Sequence, residues 1–316
     1  MSSISVIITG CNGRLGRAVG DLAVSRGHTV VGIDAAPAPG RPHPVVVEDL
    51  RHPPAIHRAF ERLGKAPDAV VHLANHTNSL AAPAEVVLRE NVSMNTSVFM
   101  AAAQGGAKRI VFSSSIQAFI ANFDNDGGMG VRLPHALPLS EALEPRPSNA
   151  YGVSKLVSER MLDTLCDADT FKLIGRAPGE RLSAASLRLP YILNPQMFEG
   201  AARNTGAVDY RWGGPEAFAY IHVDDAADAV LRACEATLSG HEVFWVAAAD
   251  PRVAQTVEEL IDRHYPSVPG ADAARRMRRL GDCSKAQRLL GWRSTRHVSG
   301  ERARLGLSPV GEVIPA

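Results

Sequence analysis

Val6-Ile7-Ile8-Thr9-Gly10-Cys11-Asn12-Gly13-Arg14-Leu15-Gly16 is the stretch whose reading decides the fold. An apolar run leads directly into three spaced glycines, and a helical pattern follows at Leu15, Val19, Leu22 and Ala23. After Gly27 comes a second apolar run, Thr29 to Ile33, closed by Asp34. Strand, glycine turn, helix, strand and acid in that order form the βαβ unit that binds a dinucleotide. Gly10 permits the tight turn, Gly13 leaves no side chain between backbone and pyrophosphate, and Gly16 lets the helix lie close on the strand. The N–H groups and dipole of the helix start, from Asn12 through Arg14 and Leu15, are offered to the phosphates. Asp34 favours ribose hydroxyls over a 2′-phosphate, and therefore NAD over NADP. Arg14 and the more distant Arg41 are the groups that could receive such a phosphate instead. A purely structural glycine turn is the competing reading; both flanking strands and the acid argue against it.

Outward from this unit, the 316 residues suffice for one large α/β domain or a dinucleotide-binding domain with a smaller partner. Hydrophobic residues make up 45 % and charged residues 21 %, as in ordinary globular enzymes. A formal net charge of +1 gives no reason to expect nucleic acid or an anionic membrane as partner. The basic cluster Arg275-Arg276-Met277-Arg278-Arg279 reads as a solvated helix face. Cys11, Cys166, Cys234 and Cys283 form no C-x-x-C pair, which argues for a reducing compartment and against structural zinc. No signal peptide or membrane-length apolar run is apparent, so a cytoplasmic protein with no metal is expected.

Strand and helix patterns alternate through residue 190. Val45–Val47 leads to Glu48-Asp49-Leu50, where the acid can approach an adenine amino group at the cleft edge. A helix over 55–63 precedes the strand Ala69 to Asn75, apolar on both faces like a central parallel strand. A long helix, about 84–104, carries Asn91 and Asn95, and Arg109–Phe112 delivers Ser113-Ser114-Ser115. A loop over about 121–148 is followed by a helix from Tyr151 to about Leu165 and a strand from Ser186 to Leu189, ended by Pro190. This alternation predicts a doubly wound parallel sheet of the Rossmann type. Residues 191–219 read as loop, Ile221 to Asp225 as the start of a helix, and the tail after Gly291 as loose. The expected organisation is a nucleotide-binding domain over 1–190, completed by about 220–250, and a small substrate-binding lobe from 191–219 and 251–316.

Tyr151 and Lys155 lie one helical turn apart on a single face. An ammonium beside a phenol lowers the tyrosine pKa towards the working range and makes it an acid/base. Ser115, at the end of a neighbouring strand, is placed to orient a substrate hydroxyl or carbonyl. Alone, Tyr-x-x-x-Lys is more often an amphipathic surface pair; the glycine turn and the Ser-ending strand upstream reverse that reading.

With these residues assembled, the chain resembles the extended short-chain dehydrogenase/reductases of the NAD-dependent epimerase/dehydratase family along nearly its whole length. The resemblance rests on Thr9-Gly10-x-x-Gly13-x-x-Gly16, Asp34, Asp49-Leu50, His72-Leu73-Ala74, Asn91, Val111 to Ser115, Tyr151-Gly152-Val153-Ser154-Lys155, Leu187 to Pro190, Tyr220 to Asp225, Ser284-Lys285-Ala286 and Leu290-Gly291-Trp292. It implies Tyr151 as acid/base, Lys155 as its activator and ribose ligand, and Ser115 as third member, four residues before the aromatic Phe119. It further implies that Leu73, Ala74 and Asn75 lie along the cofactor, that Pro190 forms the turn at the nicotinamide, and that Asn91 is structural or water-binding near the cofactor.

The departures bear on the substrate. Ile116-Gln117 replaces the Asp-Glu pair of the family's dehydratases, so dehydration is not expected. Phe218 stands where sugar-nucleotide epimerases carry a nucleotide-binding Arg, and Asn194-Pro195 replaces a Gly-Pro. Arg203, Arg211 and Trp212 can bind a diphosphate and a base, or belong to a solvated loop. His76 and Asn78 face either substrate or solvent; His72 and His222 read as packed; Asp224-Asp225 reads as a helix cap. The expected activity is NAD-dependent hydride transfer at the carbinol of a sugar or sugar acid. A sugar-nucleotide 4-epimerase is the alternative, and a non-catalytic NAD sensor a third reading against which the complete Ser115/Tyr151/Lys155 set argues. The expected partners are a small sugar-type molecule, held in part by His76, Ser115, Asn194, Arg203 and Arg211, and a second copy of the chain in a homodimer.

Overall fold

A computed structural model describes residues 3–120, 133–167, 181–204 and 213–307. Seven parallel strands form one sheet in the order β3-β2-β1-β4-β5-β6-β9. They are β1 (Ser5–Thr9), β2 (Thr29–Asp34), β3 (Val45–Val47), β4 (Ala69–His72), β5 (Arg109–Ser115), β6 (Ser183–Leu189) and β9 (His241–Trp245). The order reverses between β1 and β4, so a crevice opens there at the carboxyl ends of the strands, where doubly wound sheets take their ligands. The glycine turn lies on that crevice.

The two-residue period of the strands builds two apolar layers. Val6 and Ile8 of β1 face α1 (Arg14–Ser25) and α6 (Val223–Glu235). Ile7, between them, faces the opposite layer with α2 (Ala55–Leu63), α3 (Ala84–Gln104) and α4 (Ala150–Cys166). A third cluster joins Ile116 and Phe119 after β5 to Phe218, Trp245 and Tyr265, and thereby fixes the segments after β9 against the carboxyl edge of the sheet.

Three regions differ from the sequence-based expectation. Residues 191–204 and 213–219 are not simply loop: β7 (Tyr191–Leu193), α5 (Pro195–Arg203) and a 3-10 turn (Gly214–Glu216) lie there. Tyr220–His222 is a strand, β8, before α6 begins; among the described residues it pairs only with β7. Strands this short carry no readable alternation and exist because each has the other as partner. The α5 signal was present, since Asn194 caps the helix by accepting from the Met197 N–H at 2.8 Å and Pro195 takes its first turn. Residues 292–307 are also structured, with α10 (Val298–Arg304) anchored by Val298 against Tyr220 and Phe198. Two further helices, α7 (Val257–His264) and α8 (Ala271–Met277), precede α9 (Ser284–Leu290). The basic cluster falls on and just after α8, where Arg275 pairs with Asp262 and Arg278 with Glu258.

Candidate active site

The glycine turn meets its steric requirements position by position. Gly10 has φ +65°, and a Cβ there would stand 2.8 Å from the Ala74 amide nitrogen, so the backbone just after β4 passes directly against it. A Cβ on Gly16 would lie 2.1 Å from the Gly10 carbonyl oxygen. Gly13 is the N-cap of α1, and no side chain caps that helix, so its first N–H groups remain available to an anion. Asp34 closes the turn: its carboxylate accepts from the backbone N–H of Asn12 (2.9 Å) and of Ala36 (3.2 Å). A bare backbone cradle at a helix start, with an acid at the end of β2, is the form a dinucleotide requires, and the residues fit it.

The other cofactor candidates divide. Leu73, Ala74 and Asn75 follow β4 into the crevice, and Pro190 follows β6. Leu15 and Leu50 are buried in the two apolar layers. Arg14 donates to the Ile192 carbonyl at 2.6 Å, tying α1 to β7, and Arg41 is held by Asp21 and the Arg17 carbonyl. Asp49 is gripped by Arg51, whose hydrogen bonds hold its carboxyl below the ordinary range. Asn91 is fully buried, accepting from the His76 N–H (2.8 Å) and donating to Ser154 Oγ (3.2 Å); its contacts knit α3 to α4 and to the chain after β4.

The three serines ending β5 have separate tasks. The Ser113 carbonyl accepts from Lys155 Nζ at 2.7 Å. Ser114 Oγ donates to Glu159 Oε1 at 2.6 Å, and Glu159 is also clasped by Arg188 at 2.8 and 3.0 Å in a buried ion pair. Ser115 alone turns to the site, where its hydroxyl accepts from the Gln117 N–H at 3.2 Å and acts to lower the Tyr151 phenol. Asn149 caps α4 by accepting from the Gly152 N–H at 2.8 Å, so Tyr151 sits in the first turn. Gly152 permits that seat, because a Cβ there would lie 2.2 Å from the Gln117 carbonyl oxygen.

Burial, not the neighbouring ammonium, dominates the tyrosine. Loss of water pushes Tyr151 up to about 12; the Ser115 hydrogen bond opposes the rise and Glu216 adds to it. This reverses the expected lowering by Lys155, whose Nζ lies 5.4 Å from the Tyr151 ring centroid and is occupied elsewhere. Burial pushes Lys155 itself down to about 7, partly offset by Glu159.

A directed chain of hydrogen bonds positions that lysine. Thr9 Oγ1 accepts from the Leu73 and Ala74 N–H groups, leaving its own hydrogen for His72 Nδ1 at 2.7 Å. Burial holds His72 down to about 3, so the ring is neutral and its Nε2–H donates to Asn95 Oδ1 at 2.7 Å. The same oxygen accepts from Asn75 Nδ2 (2.7 Å), and Asn75 Oδ1 accepts from Lys155 Nζ (2.6 Å). The strand of the glycine turn is thereby connected to the lysine of α4. Thr9, His72 and Asn95 act as spacers in this chain; of these, sequence reasoning read His72 as packed, and its role is visible only in three dimensions.

Of the substrate candidates, His76 lies beside Asn91 and pairs with Glu90 at 2.8 Å. Asn194 caps α5, and Arg203 pairs with Glu199 on the exposed face of the same helix. Arg211 and Trp212 lie outside the described residues. Phe218 is fully buried in the third apolar cluster. Two charged residues not singled out in the sequence act on the site instead: the buried Glu216, whose charge raises Tyr151 further, and Arg252, which opposes the rise of the Glu216 carboxyl and lies over the Tyr191 ring at 5.3 Å. No group of acidic, histidine and cysteine side chains fit for a metal occurs among the described residues, and no described helix is long and apolar enough to cross a membrane.

Residues 6–247 match the model of the NAD dependent epimerase/dehydratase family. An NAD-dependent glucose-6-phosphate dehydrogenase of Haloferax volcanii is 31 % identical over 165 residues, spanning 49 % of this chain and 60 % of that protein. A UDP-glucose 4-epimerase of Corynebacterium glutamicum is 25 % identical over 319 residues, spanning 92 % and 90 %. Among solved structures, a UDP-glucose 4-epimerase from Thermotoga maritima, determined with UDP-glucose, superposes with a TM-score of 0.65 at 19 % identity, covering 95 % of this chain and 96 % of that one.

Proposed function

The chain belongs to the NAD dependent epimerase/dehydratase family, and on that premise we propose that it oxidises a carbinol of a sugar or sugar acid, with Tyr151 as acid/base. The observation that carries the reading is the convergence of Ser115, Tyr151 and Lys155 beside the glycine turn, with Lys155 connected to it through Asn75, Asn95, His72 and Thr9. NAD, when bound, supplies the acceptor for the hydride. Gly10, Gly13 and Gly16 would take its diphosphate, Asp34 its adenosine ribose, and Asn75 with Lys155 border the nicotinamide side. Ser115 holds the substrate oxygen in line with the Tyr151 phenol oxygen, and Tyr151, acting as the phenolate, takes the hydroxyl proton as the carbonyl forms. Lys155 keeps a positive charge in reach of the phenol while protonated and presents its N–H groups to a ribose.

Two observations favour a substrate without a nucleotide. Phe218 is committed to the core, and Arg203 is engaged by Glu199. The glucose-6-phosphate dehydrogenase relative agrees with this direction; the epimerase relative supports the sugar-nucleotide alternative. We also place the enzyme in the cytoplasm, as a homodimer, with residues 191–219 and 251–316 as its substrate lobe.

Incubation with NAD and a panel of aldoses, sugar phosphates, uronates and sugar nucleotides, followed by NADH absorbance, tests the reading. NADH formed from an unlinked sugar supports it, and absence of turnover across the panel contradicts it. Low-micromolar binding of UDP, GDP or dTDP to the NAD-loaded protein, by calorimetry, would favour the epimerase.

A further inference from the structure

Gly20 stands in the interior of α1, where glycine is unfavourable, and the space it leaves is occupied. A Cβ there would lie 2.6 Å from His43 Nε2 and 3.0 Å from Arg41 Nη2. Gly32 of β2 leaves room for the same ring, since its Cβ would lie 2.8 Å from His43 Cε1. The connection from β2 to β3 is exposed through most of residues 35–40, then turns inward and seats both side chains against these glycines. His43 is buried, and its Nδ1–H donates to the Pro44 carbonyl at 3.1 Å, which also accepts from the Gly32 N–H at 2.9 Å. Burial holds the imidazole below its ordinary pKa, so it is neutral beside the arginine.

Arg41 is drawn out of solvent on this seat, with its side chain 7 % exposed. Nη2 lies 3.2 Å from Asp21 Oδ1 and donates to the Arg17 carbonyl at 3.1 Å, and Nη1 donates to Asp21 Oδ2 at 3.4 Å. Its Nε–H, also buried, finds no acceptor among the described residues. The guanidinium is therefore incompletely satisfied, and the Asp21 carboxylate supplies the charge that retains it; without Asp21 a buried cation would keep one backbone carbonyl. The place adjoins the cofactor cradle. Arg17, whose carbonyl holds Arg41, donates through its own Nε to the Asn12 carbonyl at 2.8 Å. Asn12 in turn donates its N–H to Asp34 at 2.9 Å and its side-chain amide to the Ala36 carbonyl at 2.5 Å. Arg41 thus hangs from the residue that braces the corner where Asp34 would meet the adenosine ribose. A 2′-phosphate would be carried at that corner, and the guanidinium fork is the side chain best matched to phosphate oxygens.

We propose that Asp21 is a second determinant of cofactor choice: by pairing with Arg41 it keeps the guanidinium folded onto α1 and away from the 2′ position, so that NADP finds no cation to offset Asp34. This rests on the assignment of the glycine turn and Asp34 to the dinucleotide, and adds a residue that acts at a distance from it. The two acids act differently. Asp34 penalises a 2′-phosphate directly by repulsion, whereas Asp21 acts only through the placement of Arg41. Freed from Asp21, Arg41 exchanges a half-satisfied seat for paired, charge-assisted hydrogen bonds to the phosphate. The Asp21 side chain is 56 % exposed, so its removal leaves the packing of α1 undisturbed.

Dissociation constants of NAD and NADP, measured by calorimetry at about 0.15 M salt, where charges more than about 8 Å apart are largely screened, test the proposal. The proteins are the wild type, Asp21→Ala, Arg41→Met and the double variant, each also in the Asp34→Ala background. Asp21→Ala is expected to lower the ratio of the NADP to the NAD dissociation constant about fivefold or more, with NAD affinity within about twofold of the wild type. Arg41→Met alone should leave the ratio within about twofold, because the guanidinium is already held away, and should cancel the gain when combined with Asp21→Ala. Arg41→Gln repeats that removal, so the result does not depend on how methionine packs on the seat. An unchanged ratio in Asp21→Ala overturns the proposal, as does a gain that survives the loss of Arg41, which would be a bare charge effect of residue 21. A marked fall of NADP affinity in Arg41→Met alone also overturns it, since Arg41 would then already face the phosphate. A ratio unmoved by Asp34→Ala, with the Asp21 and Arg41 variants as expected, contradicts the ribose role of Asp34 and leaves the proposal standing; the opposite pattern contradicts the proposal alone. Binding of neither nucleotide overturns both.

Discussion

Two tight turns reach the site from distant parts of the chain, and each solves the same backbone problem in its own way. The turn over residues 10–16 enters the left-handed region at Gly10, φ +65°, where glycine bears little penalty. The turn over residues 213–218 enters it at Ala217 and Phe218, where side chains are unfavourable and tertiary packing must compensate. The first is built by composition, with no room for a side chain at Gly10 or Gly16. The second is built by its surroundings, with Phe218 buried in the core and Tyr265 bonded to Gly214. The cofactor cradle is therefore set by local backbone requirements, and the second turn by contacts between segments far apart in sequence.

The sharpest way to break that contrast is Gly16→Ala. Its Cβ would meet backbone at 2.1 Å with nothing flexible to yield, so loss of NAD binding and of several kcal/mol, about 3 or more, is expected. Thermal unfolding with and without NAD measures both; a stable, NAD-binding variant would show that the turn is not sterically closed. Next comes the buried pair behind β5. Arg188→Met leaves Glu159 charged and without its clasp, and should cost about 3–5 kcal/mol in denaturant unfolding. A cost near zero would mean that this side of the site does not depend on its side-chain network.

A smaller effect reads the network through pH. Burial lowers Lys155 from 10.5 to about 7, so between these values the unfolded chain holds a proton that the folded chain has released. Stability should then rise with pH across that window, the cost of burying the ammonium being complete below about 7 and relieved towards 10.5. Burial raises the thiols of Cys11, Cys234 and Cys283, which acts in the opposite sense at alkaline pH, so the quantity to follow is the difference between wild type and Lys155→Met. A difference flat in pH would place Lys155 in contact with water. The smallest change is expected at the edge of the cofactor cradle. Asp34→Ala should narrow the preference for NAD over NADP by about tenfold, read from dissociation constants, because one repulsive charge near the 2′ position is removed. Equal affinity of the wild type for both cofactors would mean that the carboxylate, held by Asn12 and Ala36, does not face the ribose.

The same contrast explains what was legible in the sequence. Glycine spacing, the acid at Asp34 and the apolar runs of β1 to β6 report local geometry, so the sheet and its order of elements could be read directly, as could the one-turn spacing of Tyr151 and Lys155. Ser115 was separable from Ser113 and Ser114 only through the family resemblance; the structure gives the physical reason, with Ser113 holding Lys155 and Ser114 holding Glu159. β7 and β8 were not legible, since three residues show no period and each is a strand only because of the other. The direction of the Tyr151 shift was misread, because residue spacing displays the ammonium one turn away and not the burial that outweighs it. Glu216 was invisible for a related reason: nothing near it in sequence marks it, and its partners Gln117, Tyr151 and Arg252 come from three other segments.

The central claim is that one proton-transfer group works beside one cofactor cradle, built separately. Tyr151→Phe tests it most directly, with NAD affinity and turnover measured on the same preparation. Removal of the hydroxyl should lower kcat by about a hundredfold or more and leave NAD binding within about twofold of the wild type, since the cradle lies in the glycine turn and not in the phenol. Retention of most of the turnover, or a loss of NAD affinity in step with the loss of rate, would contradict the account.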